Sequence, residues 1–449
     1  MKIRKYPFLI ALFMFSSVVF AQEIQLTLRE AIEHSFKNDP NIVKTENSID
    51  LQESNIRANY GNLFPDLKFS TGWQRTNQVI KAGDRFINGI TQPFPGSNET
   101  NDNFSLSLRS DVTLFDGMTS YDKIDLAKLT KTQLQIQLRQ QKDNLAIKII
   151  ADYITVLKNQ QIQAINESTL ADSRAQLEKI KIFVEVGRRT LSDIYQQDVI
   201  VAQNELAVEQ AKNNVNKSIS DLAFDATLPL ERYYGVNRNE FNTELAYESL
   251  ETYVIQNSNA DNLLTAALRN RYDYKSTVQN LDILETNIEI ARGNQYFPSL
   301  TGFGQYSLNG NAIGEVTNQR VFTVGLTLSY PIFQGFQLDY QRQAALINYK
   351  SAQEDIRLLK NQINLQIKKA ILDLRSLLKQ IEITDRSLKN AEQNKLLAEE
   401  SYRVGIGTIL DVNTAATNLN NILISKSNVI YDFILAQKQL EYFQGMLKY

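Results

Sequence analysis

From Phe104 to Leu114 the chain alternates: Phe104, Leu106, Leu108, Val112 and Leu114 fall on one side, Ser105, Ser107, Arg109, Asp111 and Thr113 on the other. A two-residue period of this kind predicts a strand with one apolar and one polar face. Leu67 to Gln74 alternates less cleanly, Leu300 to Leu308 follows the same plan, and Phe322 to Tyr330 is again regular. Each stretch has the ~9–12 residues of a tilted strand that crosses a membrane. Gly83, Gly89, Pro93, Pro95 and Gly96 predict an exposed loop over about 81–102, and a shorter loop falls at about 309–319. Elsewhere the period is helical. Leu28, Ala31, Ile32 and Phe36 share one face of a short helix, and Pro40 suits the first turn of another that Gly61 and Pro65 end.

After each second strand comes a long run without Pro or Gly, Thr119 to Phe183 and Phe336 to Arg403. Leu138, Leu145, Ile149, Tyr153 and Leu157 mark a coiled-coil-like seam in the first, and Leu358, Ile363, Ile367, Ile371 and Leu374 one in the second. Each run ends in Val-Gly, and a second helix then returns. The two halves are copies. Val186-Gly187-Arg188-Arg189-Thr190-Leu191-Ser192-Asp193 matches Val404-Gly405-Ile406-Gly407-Thr408-Ile409-Leu410-Asp411 at an offset of 218 residues, and Leu114-Phe115-Asp116-Gly117 matches Ile332-Phe333-Gln334-Gly335 at the same offset. Gly117 to Gly187 and Gly335 to Gly405 are each 70 residues. A length held this strictly is expected of one rigid element, and as a helix it reaches roughly 105 Å.

The expected organisation is therefore a signal peptide at 1–21, a first repeat at 22–230 and a second at 231–449. The first repeat holds a strand pair at about 66–114 and a helical hairpin at about 118–222. The second holds an irregular linking segment at about 231–260, a strand pair at about 299–331 and a hairpin at about 336–447. Lys2, Arg4 and Lys5, the apolar stretch Pro7 to Phe20 and the small residues around Ala21 give the signal peptide. Without it the net charge is about −5, which excludes a generally basic nucleic-acid binder. The chain has no cysteine and a single histidine, His34, so disulfides, thiol metal sites, cysteine nucleophiles and most serine triads lack parts, and no metal or cofactor is expected. His34 is expected at the surface.

Strands with one apolar and one polar face fit a water-soluble sandwich or a membrane barrel with a wet lumen. Two lone hairpins make a poor sandwich, and in a bilayer no strand edge stays open. Four strands do not close alone. Two copies give 8 strands, whose interior side chains fill, whereas three give 12 and leave a lumen. Trp73, Phe115, Phe303, Tyr306 and Tyr330 are expected in interfacial aromatic girdles or in packed cores.

With Leu28-Arg29-Glu30-Ala31-Ile32, Asn38-Asp39-Pro40, Phe64-Pro65-Asp66-Leu67, Tyr330-Pro331-Ile332-Phe333-Gln334-Gly335 and the paired Val-Gly-x-x-Thr-x-x-Asp, the whole mature chain resembles the TolC-like outer-membrane efflux proteins. The resemblance implies a mainly α fold with a small β part: a homotrimer with a 12-stranded transmembrane β-barrel, four strands per protomer, continued by a 12-helix periplasmic α-barrel. It implies a passive exit duct, not an enzyme, in the outer membrane of a Gram-negative bacterium. Its partners would be membrane lipid, a periplasmic adaptor and an inner-membrane pump of RND, ABC or MFS type, in drug efflux or type I secretion. A periplasmic adaptor or structural coiled coil is the alternative.

Carried over by position, the resemblance puts Asp193, Asp411 and Tyr402 at a periplasmic constriction. It puts Val186, Gly187, Thr190, Leu191, Val404, Gly405, Thr408 and Ile409 at adaptor-docking tips. Gly407 stands where a basic residue makes a closing link, and Thr414 where a second acidic ring occurs; Arg188 or Arg189 is then the expected substitute. The residues themselves offer another reading, in which each aspartate is an acid at a helix start beside a Thr cap.

Overall fold

The computed structural model describes residues 24–231, 234–238, 240–243 and 246–449; the expected signal peptide at 1–21 lies outside them. In chain order the elements are β1 (Ile24–Leu26), α1 (Leu28–Asn38), α2 (Pro40–Gly61), β2 (Lys68–Ile80), β3 (Gly83–Ile87), β4 (Ile90–Phe94), β5 (Ser97–Phe115), α3 (Thr119–Glu185), α4 (Leu191–Asp225), β6 (Tyr234–Val236), α5 (Tyr247–Gln256), α6 (Ala260–Asn270), α7 (Tyr272–Tyr296), β7 (Ser299–Gly310), β8 (Gln319–Ser329), α8 (Gln337–Val404) and α9 (Ile409–Phe443). Helices α3 and α8, of 67 and 68 residues, each reach about 100 Å at the α-helical rise. Among the described residues no helix is long and apolar enough to cross a membrane.

The chain forms two compact units. One comprises 43–140 and 268–363. Its centre is an antiparallel sheet in the order β2-β5-β7-β8, so the two strand pairs join through β5 and β7. The register sorts side chains by chemistry. Phe69, Leu108, Tyr306 and Phe322 form one row across the sheet, while Lys68, Arg109, Gln305 and Thr323 form the next row on the opposite face. On the polar face Arg109 Nη1 donates to Gln305 Oε1 at 3.2 Å, and the Ser70 and Ser107 hydroxyls lie 2.6 Å apart. On the apolar face Phe322, Val324, Leu326 and Leu328 are 69–73 % exposed. Phe303 is no girdle residue: it shares the polar face, where a Cβ on Gly325 would meet its ring at 2.7 Å and the Arg109 guanidinium lies 4.5 Å from the ring centre. β2 and β8 are the sheet's free edges.

Two expectations for this unit need correction. The 81–102 segment is not a loop; it holds the hairpin β3–β4 and the first residues of β5. β2 also runs on past Gln74 to Ile80, so β2 is 13 and β5 19 residues long, beyond the expected range. The added part is polar on both faces as far as Gln78 and across Ser97–Asn103, so it carries no alternation to read. Each strand-to-helix corner turns through two successive left-handed residues, Gly117 and Met118 (φ +66° and +69°), then Gly335 and Phe336 (φ +59° and +64°). Left-handed backbone costs a non-glycine residue roughly 1–2 kcal/mol, and the duplicated Phe-x-Gly holds the same bend in both copies.

The other unit comprises described residues up to Ile42, then 141–267 and 364–449. Thr27 and Glu30 form a reciprocal capping box at the start of α1. β1 pairs in parallel with β6, and the buried Tyr153 fastens both: its hydroxyl donates to Leu26 O at 3.0 Å and accepts from Asn237 N at 2.9 Å. Around it Ile32, Ile149, Ile150, Leu222 and Ile434 are almost fully buried. The linking segment is thus only partly irregular. A three-residue strand and a ten-residue helix, α5, lie in it, both too short to show a period. His34, expected at the surface, is half-buried, with Nδ1 3.1 Å from Ala226 O.

Beside this core, Lys148 Nζ contacts Asp225 Oδ1 at 2.6 Å. Burial, and then the adjoining Asp225 carboxylate, push the Asp152 carboxyl up to about 7. The folded protein therefore keeps a proton on Asp152 in a range where the unfolded chain has lost it, and stability falls as pH rises from ~4 to 7. We expect the denaturant midpoint to decline across that window and then level off, and Asp152→Asn to flatten the slope; an unchanged slope in that variant contradicts the assignment.

Candidate functional site

The duplicated signature forms the bends between α3 and α4 and between α8 and α9, all within the second unit described. Each long helix ends on a left-handed glycine, Gly187 at φ +74° and Gly405 at φ +92°. Arg188 N bonds Phe183 O at 2.8 Å and Gly187 N bonds Val184 O at 2.9 Å; Ile406 N bonds Ser401 O at 3.0 Å and Gly405 N bonds Tyr402 O at 3.2 Å. This paired pattern satisfies the last carbonyls of each helix. Gly407 is closely packed as well: a Cβ there would lie 3.0 Å from Ser401 Cβ and 3.1 Å from Tyr402 N, tighter than ordinary contact.

The two returning helices start differently although their sequences match. Thr408 and Asp411 form a capping box: Asp411 Oδ2 accepts from Thr408 N at 2.9 Å and from its hydroxyl at 2.7 Å, and Asp411 N donates to Thr408 Oγ1 at 3.2 Å. Those bonds hold the Asp411 carboxyl below the usual carboxylate range. At the first bend the Thr190 side chain makes no cap bond to the helix backbone, and its hydroxyl donates instead to Asp193 Oδ1 at 2.8 Å. Asp193 Oδ2 accepts from the Tyr402 hydroxyl at 2.9 Å, across from one hairpin to the other. Asp411 therefore serves its own helix, whereas Asp193 joins the two hairpins.

Tyr402 is only 2 % exposed and packs with Ile180, Ile409 and Val412. Burial, and then the Asp193 carboxylate, raise its phenol far above the ordinary tyrosine value. Arg189 closes the group from the other side. Its guanidinium lies 3.9 Å from the Tyr402 ring centre, and Nη2 donates to Tyr402 O. In the duplication Arg189 occupies the place that Gly407 takes at the second bend.

The sequence-derived residues thus divide. Asp193, Tyr402 and Arg189 come together. Arg188 is exposed and lies outside that group, as does Asp411. Val186, Gly187, Thr190, Leu191, Val404, Gly405 and Thr408 are exposed at the bends, but Ile409 is 4 % exposed and belongs to the packed layer beneath. Ile406, 84 % exposed, and Leu410 complete the apolar surface and were not anticipated. Their apolar character directly after a helix-ending glycine was the available signal.

The folded chain belongs to the outer membrane efflux protein family, whose model matches residues 31–224 and 263–445. This is a family of outer-membrane channels, not of enzymes. Among its relatives is the outer membrane protein TolC of Vibrio cholerae, 22 % identical over 443 residues that cover 96 % of this chain and 92 % of the relative. The solved outer membrane protein VceC of Vibrio cholerae superposes with a TM-score of 0.72 at 17 % identity, covering 93 % of this chain and 96 % of its own. The Campylobacter jejuni CmeC outer membrane channel gives 0.73 at 14 % identity, covering 93 % and 85 %. At these identities the structural likeness establishes the fold.

The unequal aspartates yield a test. Asp411→Ala removes a cap, so faster amide exchange in the first turn of α9 is expected, with the hairpin contact at Tyr402 intact. Because the Asp411 carboxyl is held low, the cap is present above the ordinary carboxylate range and is lost as pH falls through its folded-state value. Asp193→Ala is expected to loosen the contact between hairpins while α4 keeps its start. Identical exchange patterns in the two variants would contradict this division.

Proposed function

We propose that the protein is the exit duct of a tripartite efflux or type I secretion system, a passive channel that receives substrates from an inner-membrane pump and a periplasmic adaptor. The observation that carries this reading is the sheet: four strands, two free edges and an apolar face bare to its surroundings. In hydrocarbon such edges must be paired. Three copies pair β2 of each with β8 of the next and make 12 strands with the polar face inward.

The helices support the same closure. Leu358, Leu365 and Leu372 of α8 are exposed at seven-residue spacing, and Leu191, Tyr195, Val199 and Leu206 form an exposed stripe on α4. Such seams fit neighbouring helices of sister copies in a 12-helix wall. The repeats 22–230 and 231–449 then each supply one strand pair and one hairpin. An adaptor or structural coiled coil has no use for the bare apolar strand rows.

The bends form the periplasmic constriction in this reading. The Tyr402–Asp193 bond, with Arg189 on the Tyr402 ring and carbonyl, holds the closed state. Arg189 takes the closing part that Gly407, without a side chain, does not supply, and Arg188 adds positive charge at the mouth. The exposed bend residues, Ile406 and Leu410 included, meet the adaptor. Cargo choice falls to the pump.

A hydrogen bond to a carboxylate is worth about 1.5–3 kcal/mol, so its loss shifts an open–closed equilibrium roughly tenfold or more. In planar bilayers we expect small, stable single-channel conductance from the protein and a several-fold increase from Tyr402→Phe or Asp193→Asn. A purified protein that never conducts sinks the duct; conductance unmoved by either variant sinks the latch.

A further inference from the structure

The sheet is uneven at the end away from the long helices. β5 pairs with β7 only as far as Phe104↔Gly310, but β2 and β5 continue pairing up to Ile80↔Ser97. Seven pairs, beginning with Gln74↔Asn103, therefore stand beyond β7. At ~3.3 Å per residue this ribbon rises about 23 Å. The partner pair has no counterpart, since β7 and β8 are joined by a short turn around Ile313–Glu315. Residues 74–78 face 99–103 with no apolar side chain among them, Val79 and Ile80 standing only in the last two pairs, and Arg75 donates to both carboxylate oxygens of Asp102, at 2.9 and 2.8 Å. Such a ribbon belongs in water.

Its far end changes character. The ribbon ends at a tight joint, where a Cβ on Gly96 would sit 2.7 Å from Ala82 N, and beyond it lies the hairpin β3–β4. Asn88 and Gly89, at φ +51° and +84°, make the two-residue turn. Around that turn Phe86, Ile87 and Ile90 are exposed, Phe86 by 76 %. An apolar tip on a polar stalk is unfavourable while it stays in water.

We propose that the β3–β4 tips of three protomers meet on the channel axis and form an apolar lid over the external mouth. The inference rests on the trimeric closure above. Twelve strands spaced ~4.8 Å apart and tilted ~40° enclose a radius of about 12 Å, so a stalk of about 23 Å reaches the axis. The stalk grows from β2, the strand at the seam between copies, and each protomer carries one. Phe86, Ile87 and Ile90 of each copy then find their cover in the same residues of the other two. Lipid is the poorer partner because the polar ribbon separates the tip from the apolar rows of the sheet.

The chain has no cysteine, so one thiol reports cleanly. Thr91, exposed and paired with Phe86 beside the turn, is the site. The full-length Thr91→Cys protein in lipid nanodiscs is oxidised with copper–phenanthroline, and the same sample is weighed by native mass spectrometry. The lid predicts disulfide-linked dimers holding up to about two thirds of the chains, the ceiling for one thiol on each of three symmetric subunits. Adding Phe86→Ser, Ile87→Ser and Ile90→Ser is expected to cut that yield several-fold with the trimer intact. An intact trimer whose Thr91→Cys chains stay unlinked overturns the lid and leaves the closure standing. An environment-sensitive dye on that thiol reporting an apolar setting that depends on the surrounding lipid would also overturn it. Absence of a trimer removes the closure and the lid together.

Discussion

A strand edge in hydrocarbon leaves a row of backbone N–H and C=O groups without partners, each costing several kcal/mol. One protomer here has two such edges, β2 and β8, on a sheet whose apolar face is bare. Much of the rest follows from that debt. The strands need sister copies. A threefold arrangement places α3, α4, α8 and α9 of each copy beside those of its neighbours. In the proposed duct, the bends that join the long helices to the returning ones are the place where the tube narrows.

Duplication supplies the symmetry, and divergence within it sets the two bends apart. Both bends keep a left-handed glycine and a Thr-x-x-Asp start. At the second bend the acid caps its own helix, and Gly407, four residues before it, is closely packed against Ser401 and Tyr402. At the first bend Arg189 replaces that glycine, and the acid is free to reach Tyr402. Two copies of one motif thus divide into a structural cap and a contact between hairpins. Similar asymmetry marks the sheet, where one strand pair carries a tall ribbon and the other a short turn.

Much of this was legible from residue order. Alternation over Phe104–Leu114 and Phe322–Tyr330 gave the strand faces, and long stretches free of Gly and Pro gave α3 and α8. Val-Gly gave the bends. The upper parts of β2 and β5 were not legible, because both of their faces are wet and no period survives. Ile87-Asn88-Gly89-Ile90 did carry a hairpin signal, which the surrounding Gly and Pro outweighed. Asp193 and Asp411 were indistinguishable in one dimension, since their difference lies in whether Tyr402 is within reach. Ile409 was misplaced at the tip because the first residue of the returning helix faces inward there, while Ile406 and Leu410 face out.

The central claim, that three chains complete one another's sheet, is tested most directly by electron cryo-microscopy of the purified protein in lipid nanodiscs. The account predicts a threefold particle in which β2 of each copy is hydrogen-bonded to β8 of the next and the Phe322–Leu328 row faces lipid. A single chain, or an assembly in which β2 and β8 remain unpaired or the apolar row is shielded from lipid, would contradict it.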